Sequence, residues 1–382
     1  MELIYLDNNA TTMVAPEVKE AMSPWLDLNY GNPSSAYSFG RNVLDAIDLS
    51  RSQVASLIGA KPDEIIFTSC GTEADNTAIA SALSANPLKK HIITTVVEHP
   101  AVYNYCAVME TRGYKVSYLP VDSLGRLNLK DLESAILPDT ALVSIMYANN
   151  ETGVVFPIKE IGQLLKGTGI IFHTDAVQAV GKVPINVKEL NLDMLSLSGH
   201  KLHAPKGIGA LYVRNGLPYH PLLIGGHQEN GRRAGTENSA SIVGLGTACQ
   251  LVENLISKEV AYLTQLRNKI ENTLLNNLPG SIVNGDTENR LPNTTNISFE
   301  YVDGEAILMM LDMQNICVST GSACSSGSSE PSRILSAMSV PPTAIHGSLR
   351  ISLSRYNTVS EIDKALDVVI PVVKKLRAMS PF

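Results

Sequence analysis

The sequence predicts an α/β protein: a mostly parallel central sheet with helices on both faces, plus a smaller α+β domain. Three observations carry this. Between residues 64 and 172, short apolar runs alternate with amphipathic stretches, the pattern of repeated strand–helix–strand units. A long stretch rich in glycine and charge, 225–238, breaks the alternation. The 382 residues exceed what one core usually organises, so two domains are expected.

Residues 1–15 begin as a short strand and turn into the polar run Asp7-Asn8-Asn9-Ala10-Thr11-Thr12. Pro16 opens a helix carrying Val18, Ala21 and Met22. Residues 30–35 form a loop. A helix over 40–58 presents Val43, Leu44, Ile47, Val54, Leu57 and Ile58 on one face, and Gly59 stops it. Strands at 64–68, 91–97, 116–119, 142–146 and 170–172 then alternate with helices at 72–83, 101–109, 129–136 and 158–165. A further apolar run, 192–197, leads into Ser198-Gly199-His200-Lys201. A long helix, roughly 240–278, leaves the sheet. The remainder reads as strands near 295–299 and 349–353 with helices near 303–313 and 358–377. The expected division is a large domain, 16–257, and a small one made of 1–15 and 258–382.

Composition narrows the function. With 44% hydrophobic and 18% charged residues the chain is an ordinary folded protein, not a disordered one. A net charge of −7 argues against a nucleic-acid partner, which calls for a basic surface. No apolar run approaches the roughly 20 residues of a membrane span. The N-terminus lacks the basic and apolar regions of a signal peptide, so a cytosolic chain is expected. Five cysteines, an odd and sparse set, read as thiols, with Cys106, Cys249 and Cys317 in core-like surroundings. Neither CxxC nor HExxH occurs, and no metal site is expected.

Ligands of parallel sheets bind outside the carboxyl ends of the strands. The loops there are Ser69-Cys70-Gly71-Thr72, Glu98-His99, Tyr147-Ala148-Asn149-Asn150, His173-Thr174-Asp175 and Ser198-Gly199-His200-Lys201. Gly71-Thr72 opens a helix, whose first N–H groups and the Thr72 hydroxyl can hold a phosphate or simply cap the helix. Lys201 in a small turn suits a Schiff-base nucleophile, though a lone lysine is more often a surface cation. Asp175 could keep a pyridine nitrogen protonated, or cap the segment 176–180. His99 could stack on a ring and move protons near neutral pH, or be a loop histidine. Gln178 and Asn150 could bond ring and substrate. Together these form one cofactor cradle. Gly181-Lys182 ends no phosphate-binding loop, since Val183 follows the lysine and Ala176 stands at the first glycine position.

The segments Ser69-Cys70-Gly71-Thr72-Glu73-Ala74-Asp75-Asn76, Glu98-His99, His173-Thr174-Asp175-Ala176-Val177-Gln178 and Ser198-Gly199-His200-Lys201 resemble the class V aminotransferase family of pyridoxal phosphate enzymes. Within it they resemble the cysteine desulfurases. The resemblance runs from Tyr5 to Tyr356. Gly226-His227-Gln228-Glu229, the run 231–238 and the C-terminal run 376–381 resemble the nitrogen-fixation, NifS-type branch. A fold-type I pyridoxal phosphate transferase is implied. So are these roles: Lys201 binds the cofactor covalently and Asp175 pairs with the pyridine nitrogen. Gln178 bonds the ring hydroxyl and His99 stacks on the ring. Thr72, Ser198 and His200 hold the phosphate beside Gly71. Thr236 reaches the phosphate of the other subunit of a homodimer. Asn150 and Arg350 bind the substrate carboxylate.

Cys324 decides the reaction. It lies in a Ser/Gly-rich run, 319–332, whose composition suits a flexible loop and no core. The resemblance implies that its thiolate takes the sulfur of L-cysteine, giving alanine and a Cys324 persulfide. The sulfur would pass to an iron–sulfur scaffold protein, with a transient cluster contact at Cys324. A selenocysteine lyase, a class V transaminase and an inactive scaffold remain open on the residues alone.

Overall fold

The computed structural model of the chain describes residues 2–320 and 331–380. Cys324 lies outside the described residues. β1 (Ile4–Tyr5) leads to α1 (Pro16–Met22), α2 (Pro24–Asp27) and α3 (Ser38–Ile58). Then β2 (Ile65–Thr68), α4 (Gly71–Ala85), β3 (His91–Thr95), α5 (Pro100–Thr111), β4 (Lys115–Leu119), α6 (Leu129–Ala135), β5 (Thr140–Ser144), α7 (Ile158–Leu165) and β6 (Ile171–Asp175) alternate. β7 (Met194–Ser198) and β8 (Gly209–Val213) follow, and α8 (Ser239–Asn277) leaves the sheet. The rest comprises β9 (Ser281–Val283), β10 (Thr294–Phe299), α9 (Gly304–Asp312), β11 (Ile316–Cys317), α10 (Arg333–Ala337), α11 (Pro342–Ile345), β12 (Ser348–Ser352) and α12 (Val359–Met379).

The main sheet has the order β2-β8-β7-β6-β5-β3-β4. All its neighbours pair in parallel except β8, which is antiparallel to both β7 and β2. Every residue of β2, β3, β5, β6, β7 and β8 is buried, while the edge strand β4 is partly exposed. That is why the inner strands are short and rich in apolar residues, with the His, Thr and Ser side chains they carry buried as well. α4 and α5 cover one face through Ala74, Ala78, Ile79, Val102 and Cys106. α3, α7 and the start of α8 cover the other through Val43, Ile47, Ile161, Leu245 and Cys249. β8 escaped the sequence reading: a strand that returns across its neighbours has no helix before it to mark it.

α8 is one continuous helix of 39 residues, roughly 58 Å long at 1.5 Å per residue. It changes cores along its length. Ile242, Leu245 and Ala248 pack with the main sheet. Leu263, Leu266, Ile270 and Leu274 pack with Ile297, Phe299, Leu349, Ile351 and α12. There β12, β10 and β9 form an antiparallel sheet. The N-terminal segment joins this second core, because β1 pairs in parallel with β11 and Asp7 bridges Ser352. Cys106 and Cys249 are fully buried, as expected. Cys317 is only half-buried, because β11 is a two-residue strand paired with β1 alone. Among the described residues, no helix is long and apolar enough to cross a membrane.

Close approach fixes Gly162 in α7: a Cβ there would stand 1.9 Å from the carbonyl oxygen of Leu190. Gly162→Ala is expected to destabilise the chain by about 1–3 kcal/mol or more, since backbone must shift to admit the methyl. Thermal unfolding checks this. An unchanged melting temperature would contradict the packing of α7 on that turn.

Candidate active site

The carboxyl ends of β2, β3, β5, β6 and β7 surround one cavity of about 380 Å³. Its walls bring together Gly71, Thr72, His99, Asn150, Asp175, Gln178, Ser198, His200, Lys201 and Arg350. The geometry therefore gathers the sequence-predicted residues among those described into one place, apart from Thr236.

Lys201 ends a single helical turn, Gly199–Lys201, directly after β7. Its ammonium donates to the carbonyls of Asn9, at 2.5 Å, and Ala10, at 2.7 Å. His200, beside it, meets the Thr11 hydroxyl through Nδ1 at 3.1 Å. Burial and the adjacent Lys201 pull its pKa down to about 4, so the ring is neutral.

Asp175 ends β6 with its carboxylate on the cavity wall. The Val177 N–H donates to its Oδ1 at 2.9 Å, so it also caps the following turn. The capping reading of this residue holds. Burial pushes its carboxyl above the usual range, against the pull of His99 and Lys201. His99 caps α5: its Nδ1 accepts from the Ala101 N–H at 3.2 Å. A backbone N–H can only donate, so the ring proton sits on Nε2. Burial holds this imidazole below its ordinary pKa. Asp75, one turn into α4, completes the group: side-chain atoms of Asp75, His99 and Asp175 lie within 4.8 Å of one another. Behind them His173 bridges Ser144 and Ser196 at 2.8 and 2.9 Å, with burial holding it down to about 3.

The N-terminus of α4 forms the opposite wall. A Cβ on Gly71 would stand 2.8 Å from Val177 Cγ2 and 3.4 Å from Ser198 Cβ, so glycine is required there. Ser198 Oγ is buried without a hydrogen-bond partner. A helix N-terminus, an unsatisfied buried hydroxyl and the exposed Thr72 together suit a phosphate group.

Arg350 on β12 closes the cavity from the second core. Its guanidinium donates to Asp7 Oδ1 at 2.7 Å and to the Asn150 carbonyl at 3.1 Å, while Nε is buried without a hydrogen-bond partner. Asn150 Oδ1 is buried and unsatisfied as well. Gln178 donates through Nε2 to the Asn9 carbonyl at 3.0 Å.

Thr236 is not part of this cavity. It lines a second one, of about 250 Å³, beside Ser69 and Arg233. The loop that carries it is pinned by Glu229, which takes two hydrogen bonds from Arg51 and one from the Phe67 N–H. The described residues on either side of 321–330 bond to a residue of the main cavity's wall or to residues adjacent to it in sequence. Ser319 pairs with Arg350 through both backbone bonds. Ser332 donates to Glu151 at 2.5 Å. Arg333 donates to the carbonyls of Val96 and Glu98 and lies over the Tyr103 ring.

Sequence reasoning missed Asn9, Ala10 and Asp75. Asp75 had a readable signal: it falls one turn after Gly71, on the face of α4 that meets the sheet. The Asn9 and Ala10 carbonyls had none, since backbone oxygens act there irrespective of side chain.

Glu98 is fully buried beside this wall. Its Oε1 accepts from the Thr95 hydroxyl at 2.7 Å and the Met146 N–H at 3.1 Å, and Oε2 has no hydrogen-bond partner. Burial pushes its pKa from 4.5 to about 8. Between those values the folded chain holds a proton that the unfolded chain has lost. The stabilisation is complete below the unfolded pKa and disappears as pH rises through about 8. Glu98→Gln has no such proton to lose. Its melting temperature relative to the parent is expected to climb from about pH 5 to about pH 9. A difference independent of pH would contradict the burial of a neutral carboxyl.

Comparison with known proteins identifies the family. The model of the family described as Aminotransferase class-V matches residues 4–365. A cysteine desulfurase of Nostoc sp. is 59% identical over 386 residues, covering 100% of this chain and 96% of the relative. The cysteine desulfurase NifS of Azotobacter vinelandii is 55% identical, over 99% of this chain and 94% of its own length. A solved structure described as a NifS-like protein superposes with a TM-score of 0.92 at 37% identity, over 98% of this chain and all of its own. The chain belongs to the class-V aminotransferase family and, within it, to the group of its cysteine desulfurase and NifS-like relatives.

Proposed function

We propose that the chain is a pyridoxal phosphate-dependent cysteine desulfurase, taking sulfur from L-cysteine, leaving L-alanine and carrying the sulfur as a persulfide on Cys324. The observation that carries the cofactor is the cavity's complementary chemistry. A lysine, a buried carboxylate seeking a cation, and an unsatisfied hydroxyl at a helix N-terminus face one space. Pyridoxal phosphate, when bound, supplies an electron sink that weakens bonds of an attached amino acid.

Lys201 is the attachment point. Asp175 holds the pyridine nitrogen and Gln178 the ring oxygen. The N-terminus of α4, with Gly71, Thr72, Ser198 and His200, receives the phosphate. His99 offers a neutral ring face and one exchangeable proton at Nε2. Arg350 and Asn150 orient the substrate carboxylate; the unsatisfied Arg350 Nε and Asn150 Oδ1 support this. In the sulfur transfer the Cβ–S bond of cysteine breaks and an S–S bond forms at Cys324 Sγ. The carbon gains the proton that the thiol loses, so atoms and electrons balance. Ser319, bonded to the cavity residue Arg350, and Arg333, bonded to the carbonyl of Glu98 next to His99, precede and follow the segment holding Cys324 in sequence, which supports its reach.

The same reading includes a cytosolic homodimer with Thr236 serving the partner's phosphate. The acceptor is an iron–sulfur scaffold protein in nitrogenase assembly, as the likeness to a protein named NifS suggests. It also includes a large unit, 16–257, and a small one, 1–15 with 258–382. The change of core along α8 between Leu251 and Leu263 supports that division.

Purified chain given L-cysteine, pyridoxal phosphate and a thiol reductant is expected to release alanine and sulfide in equal amounts. Cys324→Ala is expected to abolish both. Alanine formation at the parent rate in that variant would overturn the role of Cys324. Product formed only from selenocysteine, or a keto acid in place of alanine, would overturn the reaction. His99→Ala is expected to lower turnover by roughly 10²–10⁴-fold with the two products still equal.

A further inference from the structure

A second lysine stands behind the cavity wall. Lys182 follows Gly181 in the turn after β6. It does not line the main cavity but a small one behind it, shared with Lys201 and His203. Its ammonium donates to Gln178 twice: to the side-chain Oε1 at 2.9 Å and to the backbone carbonyl at 3.1 Å. On its other side the Gln178 amide donates through Nε2 to the Asn9 carbonyl at 3.0 Å.

These partners leave the amide no choice of orientation. An ammonium offers only donors and a carbonyl offers only an acceptor. Flipping Gln178 would set its NH₂ against the Lys182 ammonium and its oxygen against the Asn9 oxygen. Two hydrogen bonds would become two repulsions. One Nε2 proton is spent on Asn9, and the second remains for the cavity that Gln178 lines.

We propose that Lys182 is a positioning residue: it locks the Gln178 amide so that the cavity always meets an N–H donor there, which selects a ring oxygen bound as an acceptor. Lys182 matters in this way only if the cavity holds the pyridine cofactor proposed above. Burial, with Lys201 and Arg350 nearby, pulls the Lys182 ammonium down to about 7. A neutral amine can still donate to the two Gln178 oxygens, and the Asn9 carbonyl, an acceptor at every pH, continues to oppose the flipped amide.

The test is a double-mutant cycle read by titrating apoprotein with pyridoxal phosphate, with thermal unfolding of each apoprotein as the folding control. Lys182→Met and Gln178→Ala are each expected to weaken binding by roughly tenfold, the scale of one lost hydrogen bond at a charged group. The double variant is expected to bind like Gln178→Ala alone, because Lys182 acts through that amide. Lys182→Gln, which keeps an N–H donor, is expected to recover part of the loss. Losses that multiply in the double variant would overturn the proposal. If Lys182→Met does not fold, Gln178→Glu decides without touching Lys182. It turns an oxygen to the cavity and is expected to bind more weakly than Gln178→Ala, and binding equal to the parent would overturn the lock. A parent chain that binds no pyridoxal phosphate would instead overturn the cofactor reading.

Discussion

One backbone carbonyl, that of Asn9, holds the site together. It accepts from the Lys201 ammonium and from the Gln178 amide, so two side chains on different loops are fixed against a single atom. Asn9 is itself held by the second core: its N–H donates to Ser352 Oγ at 2.9 Å and its Nδ2 to Thr294 Oγ1 at 2.9 Å. Nδ2 also reaches the Asn150 carbonyl, which Arg350 shares. Three residues further on, Thr12 bonds the His200 carbonyl through N–H and hydroxyl. The polar run 7–12 thus works as a strap between the two cores, and the cavity exists only where both meet. Rigid support of this kind is what a catalytic constellation needs, since small misplacements of reacting groups are costly.

Electrostatics around this junction follow from burial. His99, His173 and His200 are all held below their ordinary pKa, so each is neutral near pH 7 and offers defined donor and acceptor nitrogens. Asp75, Glu98 and Asp175 are pushed the other way. A carboxylate stripped of water gains most from a cation placed against it. Asp75 and Asp175 both line the cavity, and Asp175 is the one that feels the Lys201 charge; a protonated pyridine nitrogen would meet its need for a cation. Hence the wall is poorly matched to bulk water and well matched to a zwitterionic ring carrying a phosphate.

Much of this was legible in the sequence because strand-end loops carry their chemistry locally. Asp175, Ser198 and Lys201 could be placed by the apolar runs before them, and Gly71 by the helix after it. The unreadable parts are those made by distant chain. The Asn9 carbonyl sits 192 residues from Lys201, and no side chain marks it. β8 runs against the parallel pattern, so alternation could not announce it. Lys182 drew attention only as a failed phosphate loop, because its partner Gln178 lies one helical turn back and its role depends on where that amide points. Cys317 read as core from Ile316 and Val318, yet a two-residue strand paired with β1 alone leaves it half-exposed.

The placement of the cofactor on one lysine is the centre of this picture, and one measurement reaches it directly. The chain is incubated with pyridoxal phosphate, reduced with borohydride, digested and mapped by mass spectrometry. The expected result is a single reduced pyridoxyl adduct, on Lys201. An adduct on Lys182, or adducts spread over surface lysines with Lys201 unmodified, would contradict it.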